Sequence, residues 1–209
     1  MWFKALVVGL YVFFSSTVAI PAQANSAKIL ILGDSISAGY GVPRGYGWVD
    51  LLPEALSQPV AIINASISGE TAMGGAARID ALLAQHQPDI VVIELGGNDG
   101  LRGHPLSSIE QHLASMIATS QAKASCGVVL LGMRIPPNYG PRYSEGFFAL
   151  YGRLAERYNT KLVEFFLANV ADKPDLMQQD GIHPTTDAQP MLVDNAKSIL
   201  NEMLHSCRR

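Results

Sequence analysis

A serine becomes a nucleophile when an imidazole takes its proton, and the imidazole needs a carboxylate to fix its tautomer and stabilise its cation. Residues of these types occur in Gly33-Asp34-Ser35-Ile36-Ser37 and in Asp180-Gly181-Ile182-His183-Pro184. Ser35 is the candidate nucleophile, His183 the candidate base and Asp180 its candidate partner. A serine in a tight turn that opens a helix also puts its own backbone N–H where a developing oxyanion is stabilised. Two further segments can aim donors at the same space. In Asn64-Ala-Ser-Ile-Ser-Gly69-Glu70-Thr71 a glycine lets a backbone N–H approach a substrate closely, and in Gly96-Gly97-Asn98-Asp99-Gly100 the Asn98 amide is a donor. Each segment alone has an ordinary structural reading: Asp34-Ser35 and Glu70-Thr71 as helix caps, Gly96 to Gly100 as a glycine-rich turn, Asp180 and His183 as a cap or as metal ligands. Together they supply a nucleophile, oxyanion donors and an oriented base, which is the equipment of acyl transfer.

Competing chemistries lack their signatures. There is no G-x-S-x-G elbow, so serine hydrolysis here would use a different turn. Neither a G-x-x-x-x-G-K-[ST] loop nor a G-x-G-x-x-G after a strand is present, which removes the usual fingerprints of nucleotide binding. His86, His104, His112 and His205 form no H-x-x-x-H pair or carboxylate cluster, so neither a metal nor a cofactor is expected. The net charge of −3 leaves no basic footprint for nucleic acid or an anionic membrane.

The elements that would hold these residues alternate. Apolar runs at 28–33, 60–64, 89–95 and 127–132, with a shorter one at 161–165, read as buried strands. Helical periods fall between them, at 48–56, 71–85, 107–122 and 144–158, and a last one covers 186–204. Repeated strand-helix order points to a parallel sheet covered by helices on both faces, whose ligands bind beyond the carboxyl ends of the strands. The four polar segments follow strands or precede the last helix, so they would meet on one edge.

With 209 residues and 48% hydrophobic content the chain suits one globular domain. Lys4, an apolar run to Ile20 and the small-x-small ending Ala22-Gln23-Ala24 read as a signal peptide over residues 1–24. The run is short for a membrane span and is closed by Pro21. The expectation is an exported, periplasmic or secreted, monomeric domain over residues 25–209 that does not stay inserted in a membrane. Export would permit a disulfide between Cys126 and Cys207; a buried Cys126 and a free Cys207 are the alternative.

The segments Gly33-Asp34-Ser35, Gly69, Gly97-Asn98-Asp99 and Asp180-x-x-His183 resemble the four blocks of the SGNH, or GDSL, hydrolase superfamily, and the resemblance runs through nearly all of residues 26–205. It implies an α/β fold, a flavodoxin-like three-layer α/β/α sandwich with a parallel five-stranded sheet of order 2-1-3-4-5. It also implies Ser35, Asp180 and His183 as catalytic residues, and an oxyanion hole formed by the Ser35 and Gly69 backbone N–H groups and the Asn98 side chain. The activity implied is serine esterase and thioesterase chemistry on small-molecule acyl esters and thioesters, of the aryl ester, acyl-CoA or lysophospholipid type, through an acyl-enzyme. Met73, Leu101, Pro105, Leu106, Ile135 and Pro136 would line the acyl groove. Two other functions remain: carbohydrate O-acetyl ester hydrolysis, and a non-catalytic module that binds a small anion.

Overall fold

A computed structural model of the chain describes residues 26–207, and the leader expected at residues 1–24 lies outside them. Strands β1 (Ala27–Gly33), β2 (Val60–Asn64), β3 (Ile90–Glu94), β4 (Gly127–Leu131) and β5 (Lys161–Val163) form one sheet in the order β2-β1-β3-β4-β5. Every neighbouring pair is parallel, and the register places Ile29 beside Ile62 on one side and Ile90 on the other. The uninterrupted apolar runs of β1, β3 and β4 follow from this placement. Strands with a layer of helices on each face bury consecutive residues instead of alternate ones, and Ile29 to Leu32, Ile90 to Ile93 and Val128 to Leu131 are all buried.

The α-helices of the described residues are α1 (Trp48–Ala55), α2 (Ala72–His86), α3 (Gly97–Leu101), α4 (Leu106–Gln121), α5 (Pro141–Tyr158) and α6 (Gln189–Ser206). α1 packs with α6, whereas α4 packs with both α2 and α5, which gives the two outer layers. Thr71 caps α2, its hydroxyl accepting the Gly74 N–H, and a second acceptor comes from outside the helix, where buried Asp99 takes the Ala72 N–H at 2.8 Å. Cys126, just before β4, is paired with Cys207, just after α6, with 5.3 Å between their Cα atoms. This resolves the two readings of the cysteines in favour of a disulfide.

The structure departs from the expected elements in four places. β2 is only half-buried, because it is an edge strand with a single neighbour. The Ser35 turn opens no helix: the residues after it form turns, and α1 begins only at Trp48. The glycine-rich segment after β3 winds into the short helix α3. β5 stops at Val163, where the chain is held across Gly132 by bonds from Gly132 N–H to the Val163 carbonyl and from Phe166 N–H to the Gly132 carbonyl.

Candidate active site

Strand order reverses between β1 and β3, and the chain leaving the carboxyl ends of β1, β2 and β3 carries three of the four polar segments. After β1 the backbone makes one turn. Ala38 N–H donates to the Asp34 carbonyl at 2.9 Å and Tyr40 N–H to the Ser35 carbonyl at 3.0 Å. Asp34 Oδ1 accepts the Ile36 N–H at 3.0 Å, which fixes the turn from inside. From beneath, Glu94 Oε2 at the end of β3 accepts the Asp34 N–H at 3.2 Å and the Ser37 hydroxyl at 2.8 Å. Ser35 is left 8% exposed, with its hydroxyl on the cavity side.

The fourth segment reaches Ser35 across 148 positions of sequence. His183 Nε2 lies 2.8 Å from Ser35 Oγ, and His183 Nδ1 lies 2.7 Å from Asp180 Oδ2. The other Asp180 oxygen accepts the backbone N–H groups of Ile182 at 2.9 Å and His183 at 3.0 Å, so the carboxylate is aimed before the imidazole engages it. The His183 side-chain bond, assisted by these two N–H groups, holds the Asp180 carboxyl down at about 2. Gln178 docks the loop: its backbone N–H donates to the His183 carbonyl at 2.7 Å, and its side-chain amide donates to the Pro184 and Tyr40 carbonyls. The Tyr40 ring packs on the imidazole with centroids 4.6 Å apart. A hydroxyl bonded to an imidazole that a carboxylate orients is the arrangement that activates serine for attack on an acyl carbon.

Asn98 shares the cavity wall with Ser35, whereas Gly69 is not part of that wall and lies next to Glu70, whose carbonyl accepts from the Asn98 amide. Among the described residues neither the Ser35 nor the Gly69 backbone N–H donates to another group of the chain. Gly69 has φ +80°, a region that favours glycine, and its carbonyl accepts from Arg102 Nη2 at 3.2 Å. The Asn98 amide donates to Asp34 Oδ2 and to the Glu70 carbonyl, both at 3.0 Å, so its two hydrogens are engaged. An oxyanion would therefore share or redirect one of them. Burial, partly offset by the Ile36 N–H, His183 and Asn98, raises the Asp34 carboxyl to about 6. Burial first and the neighbouring Asp34 charge second push Glu94 well above the usual carboxylate range.

A cavity of about 390 Å³ opens from Ser35 and His183, within the ~300–1,000 Å³ of ordinary small-molecule sites. Of the residues expected to line it, Leu101, Ile135 and Pro136 do so. Met73, Pro105 and Leu106 lie outside the lining. Met73 sits in the first turn of α2 with 64% exposure, Pro105 caps α4, and Leu106 turns onto the core near Gly146. Met133, Phe165, Leu167, Met177 and Ile182 complete the apolar wall. The apolar run 161–165 places Phe165 at a strand end and does not mark it as lining, and Leu167 and Met177 fall in no periodic segment, since the chain after β5 is irregular. Arg134 also lines the cavity, with its guanidinium 3.7 Å from the centroid of the Phe148 ring.

A family model described as the GDSL-like lipase/acylhydrolase family matches residues 31–189. The chain is 47% identical over 190 residues to esterase TesA of Pseudomonas aeruginosa, covering 90% of this chain and 94% of that one. It is 47% identical over 171 residues to thioesterase 1/protease 1/lysophospholipase L1 of Escherichia coli, covering 82% of each. A crystal structure of TesA superposes with a TM-score of 0.81 at 48% identity, covering 84% of this chain and 99% of that chain.

Proposed function

The chain belongs to the GDSL-like lipase/acylhydrolase family, and from that premise we propose that it is a serine esterase and thioesterase working through an acyl-enzyme. The observation that carries this reading is the unbroken hydrogen-bond chain from Asp180 through His183 to Ser35 at the mouth of an apolar cavity. Ser35 Oγ attacks the acyl carbonyl while its proton passes to His183 Nε2. The oxyanion is held by the Ser35 and Gly69 backbone N–H groups and the Asn98 amide. Collapse breaks the carbon–oxygen or carbon–sulfur bond, and the leaving alkoxide or thiolate takes the proton from His183. Water then gives a proton to His183 and attacks the acyl-enzyme, and the proton returns to Ser35 as the carboxylic acid departs.

Substrate class follows from the wall of the cavity. Leu101, Met133, Ile135 and Phe165 offer an acyl chain apolar contact that an acetyl group would leave unused. This favours acyl esters, acyl thioesters and lysophospholipid-type substrates over acetylated carbohydrates. The reading extends to an exported protein whose residues 1–24 are a leader and whose single catalytic domain spans residues 25–209. The Cys126–Cys207 pair supports export, because such bonds persist in oxidising compartments.

The test is hydrolysis of p-nitrophenyl esters from acetate through hexanoate and dodecanoate to palmitate, by wild type and Ser35→Ala. Rates that rise from acetate to medium chains and vanish in the variant are expected. Turnover restricted to acetate would move the substrate to short acyl groups, and an active Ser35→Ala would remove Ser35 as nucleophile.

A further inference from the structure

Glu94 is the last residue of β3 and is wholly buried, yet it touches no substrate space. Its Oε2 carries the Ser35 turn through two bonds, from the Asp34 N–H and the Ser37 hydroxyl, on either side of the nucleophile. The Ser37 hydroxyl also accepts the Trp48 indole N–H at 3.3 Å, which ties the same oxygen to α1. The register sets Glu94 directly beside Gly33, where a Cβ would stand 2.7 Å from Oε2. The other oxygen, Oε1, is buried without any hydrogen-bond partner.

An ionised carboxylate with one oxygen unpaired in the interior is strongly disfavoured, whereas a neutral acid there loses far less. The surroundings point the same way. Asp34 faces Glu94 from the turn, Ser37 from beside it, Trp48 from α1 behind Ser37, and the buried Tyr151 hydroxyl from α5; no Lys, Arg or His bonds to it among the described residues. Two adjacent carboxyls without a cation do not both ionise readily. Asp34 is the better placed to keep a charge, since it holds the Ile36 N–H and the Asn98 amide and feels His183.

We propose that Glu94 is a positioning residue that works as a neutral carboxylic acid, holding the turn of Ser35 and leaving Asp34 as the single charge that orients the oxyanion donor Asn98. The role rests on Ser35 being the nucleophile. Glu94 acts on the reaction through Ser35 and Asn98, so its removal is expected in kcat and hardly in KM.

Glu94→Gln, Glu94→Asp, Glu94→Ala and Ser35→Ala are compared with wild type on p-nitrophenyl hexanoate at about pH 8, above the Asp34 titration, with near-ultraviolet circular dichroism reporting the fold. Gln keeps the shape and neutrality of the acid, so kcat stays within about threefold. Asp withdraws the oxygen from the turn and Ala removes it, each lowering kcat on the order of 10–100-fold with KM little changed. Infrared spectroscopy supplies a readout that does not depend on how a variant folds: wild type at this pH has a protonated-carboxyl band that is missing from Glu94→Gln. A folded Glu94→Gln as impaired as Glu94→Asp overturns the proposal, as does a wild type without that band or a folded Glu94→Ala with full kcat. Full activity in Ser35→Ala would instead overturn the nucleophile assignment, and the infrared band would still report the state of Glu94.

Discussion

Replacing Cys126 and Cys207 together by serine tests how the two halves of the fold are held. The bridge closes a loop of 81 residues, and the chain-entropy relation gives about 4.5 kcal/mol for a loop of that length, within the ~2–5 kcal/mol seen for native disulfides. Against a typical total of about 5–15 kcal/mol that is a large share. With a urea slope of about 2 kcal/mol/M, the unfolding midpoint falls by roughly 2 M, and the slope itself rises because the freed unfolded chain exposes more surface. Activity should not follow. Cys126 precedes β4 at the amino edge of the sheet, whereas Met133 to Pro136 line the cavity past its carboxyl end. Five strand residues at ~3.3 Å each put roughly 16 Å between bridge and cavity. The assay is urea unfolding of wild type, reduced wild type and Cys126→Ser/Cys207→Ser, beside ester hydrolysis in the absence of denaturant. A stability loss under about 1 kcal/mol, or a midpoint shift under about 0.5 M, with an unchanged slope would refute the entropic argument, and a tenfold fall in kcat of the folded variant would refute the separation of bridge and site.

Asn98→Ala should fold and lose about 10²–10³ in kcat with little change in KM, as removal of one oxyanion donor does; a near-normal rate would take Asn98 out of the mechanism. Asp180 sits at about 2 chiefly because of its bond to His183. A depressed carboxylate stabilises the fold above its unfolded value near ~3.9 and loses that contribution as pH falls towards the folded value. In His183→Ala, carbon-detected NMR should find Asp180 titrating closer to ~3.9, and an unmoved value would mean that the Ile182 and His183 N–H groups suffice. If residues 1–24 are a leader, the mass of material recovered from the periplasm corresponds to residues 25–209, and retention of the full chain there would exclude cleavage.

Much of the scaffold is legible because burial on both faces leaves a mark in composition. β1, β3 and β4 read as apolar runs, and the structure places them at the centre of the sheet, with boundaries within a residue or two. β2 carries a similar run but ends up half-buried, since composition does not say which strand becomes an edge. The cavity wall is legible only in part. Leu101 and Ile135 face the cavity while Met73 faces solvent, although all three are apolar residues in a loop or near a helix end, because facing depends on how each segment docks.

The residue types of the site can be read along the chain: a hydroxyl, an imidazole, carboxylates, a side-chain amide and glycines, each at a strand end or before the last helix. Covalent order is enough for that, since a parallel sheet sends every strand's carboxyl end to one edge. Tertiary structure alone decided the distances, bringing His183 to 2.8 Å from Ser35 across 148 positions and pairing Cys126 with Cys207. It alone decided that both Asn98 hydrogens are engaged and that Glu94, in sequence one more polar residue at a strand end, lies sealed beneath the Ser35 turn. Contacts between distant segments and the solvation of a carboxyl depend on what packs around them, and no local pattern records it.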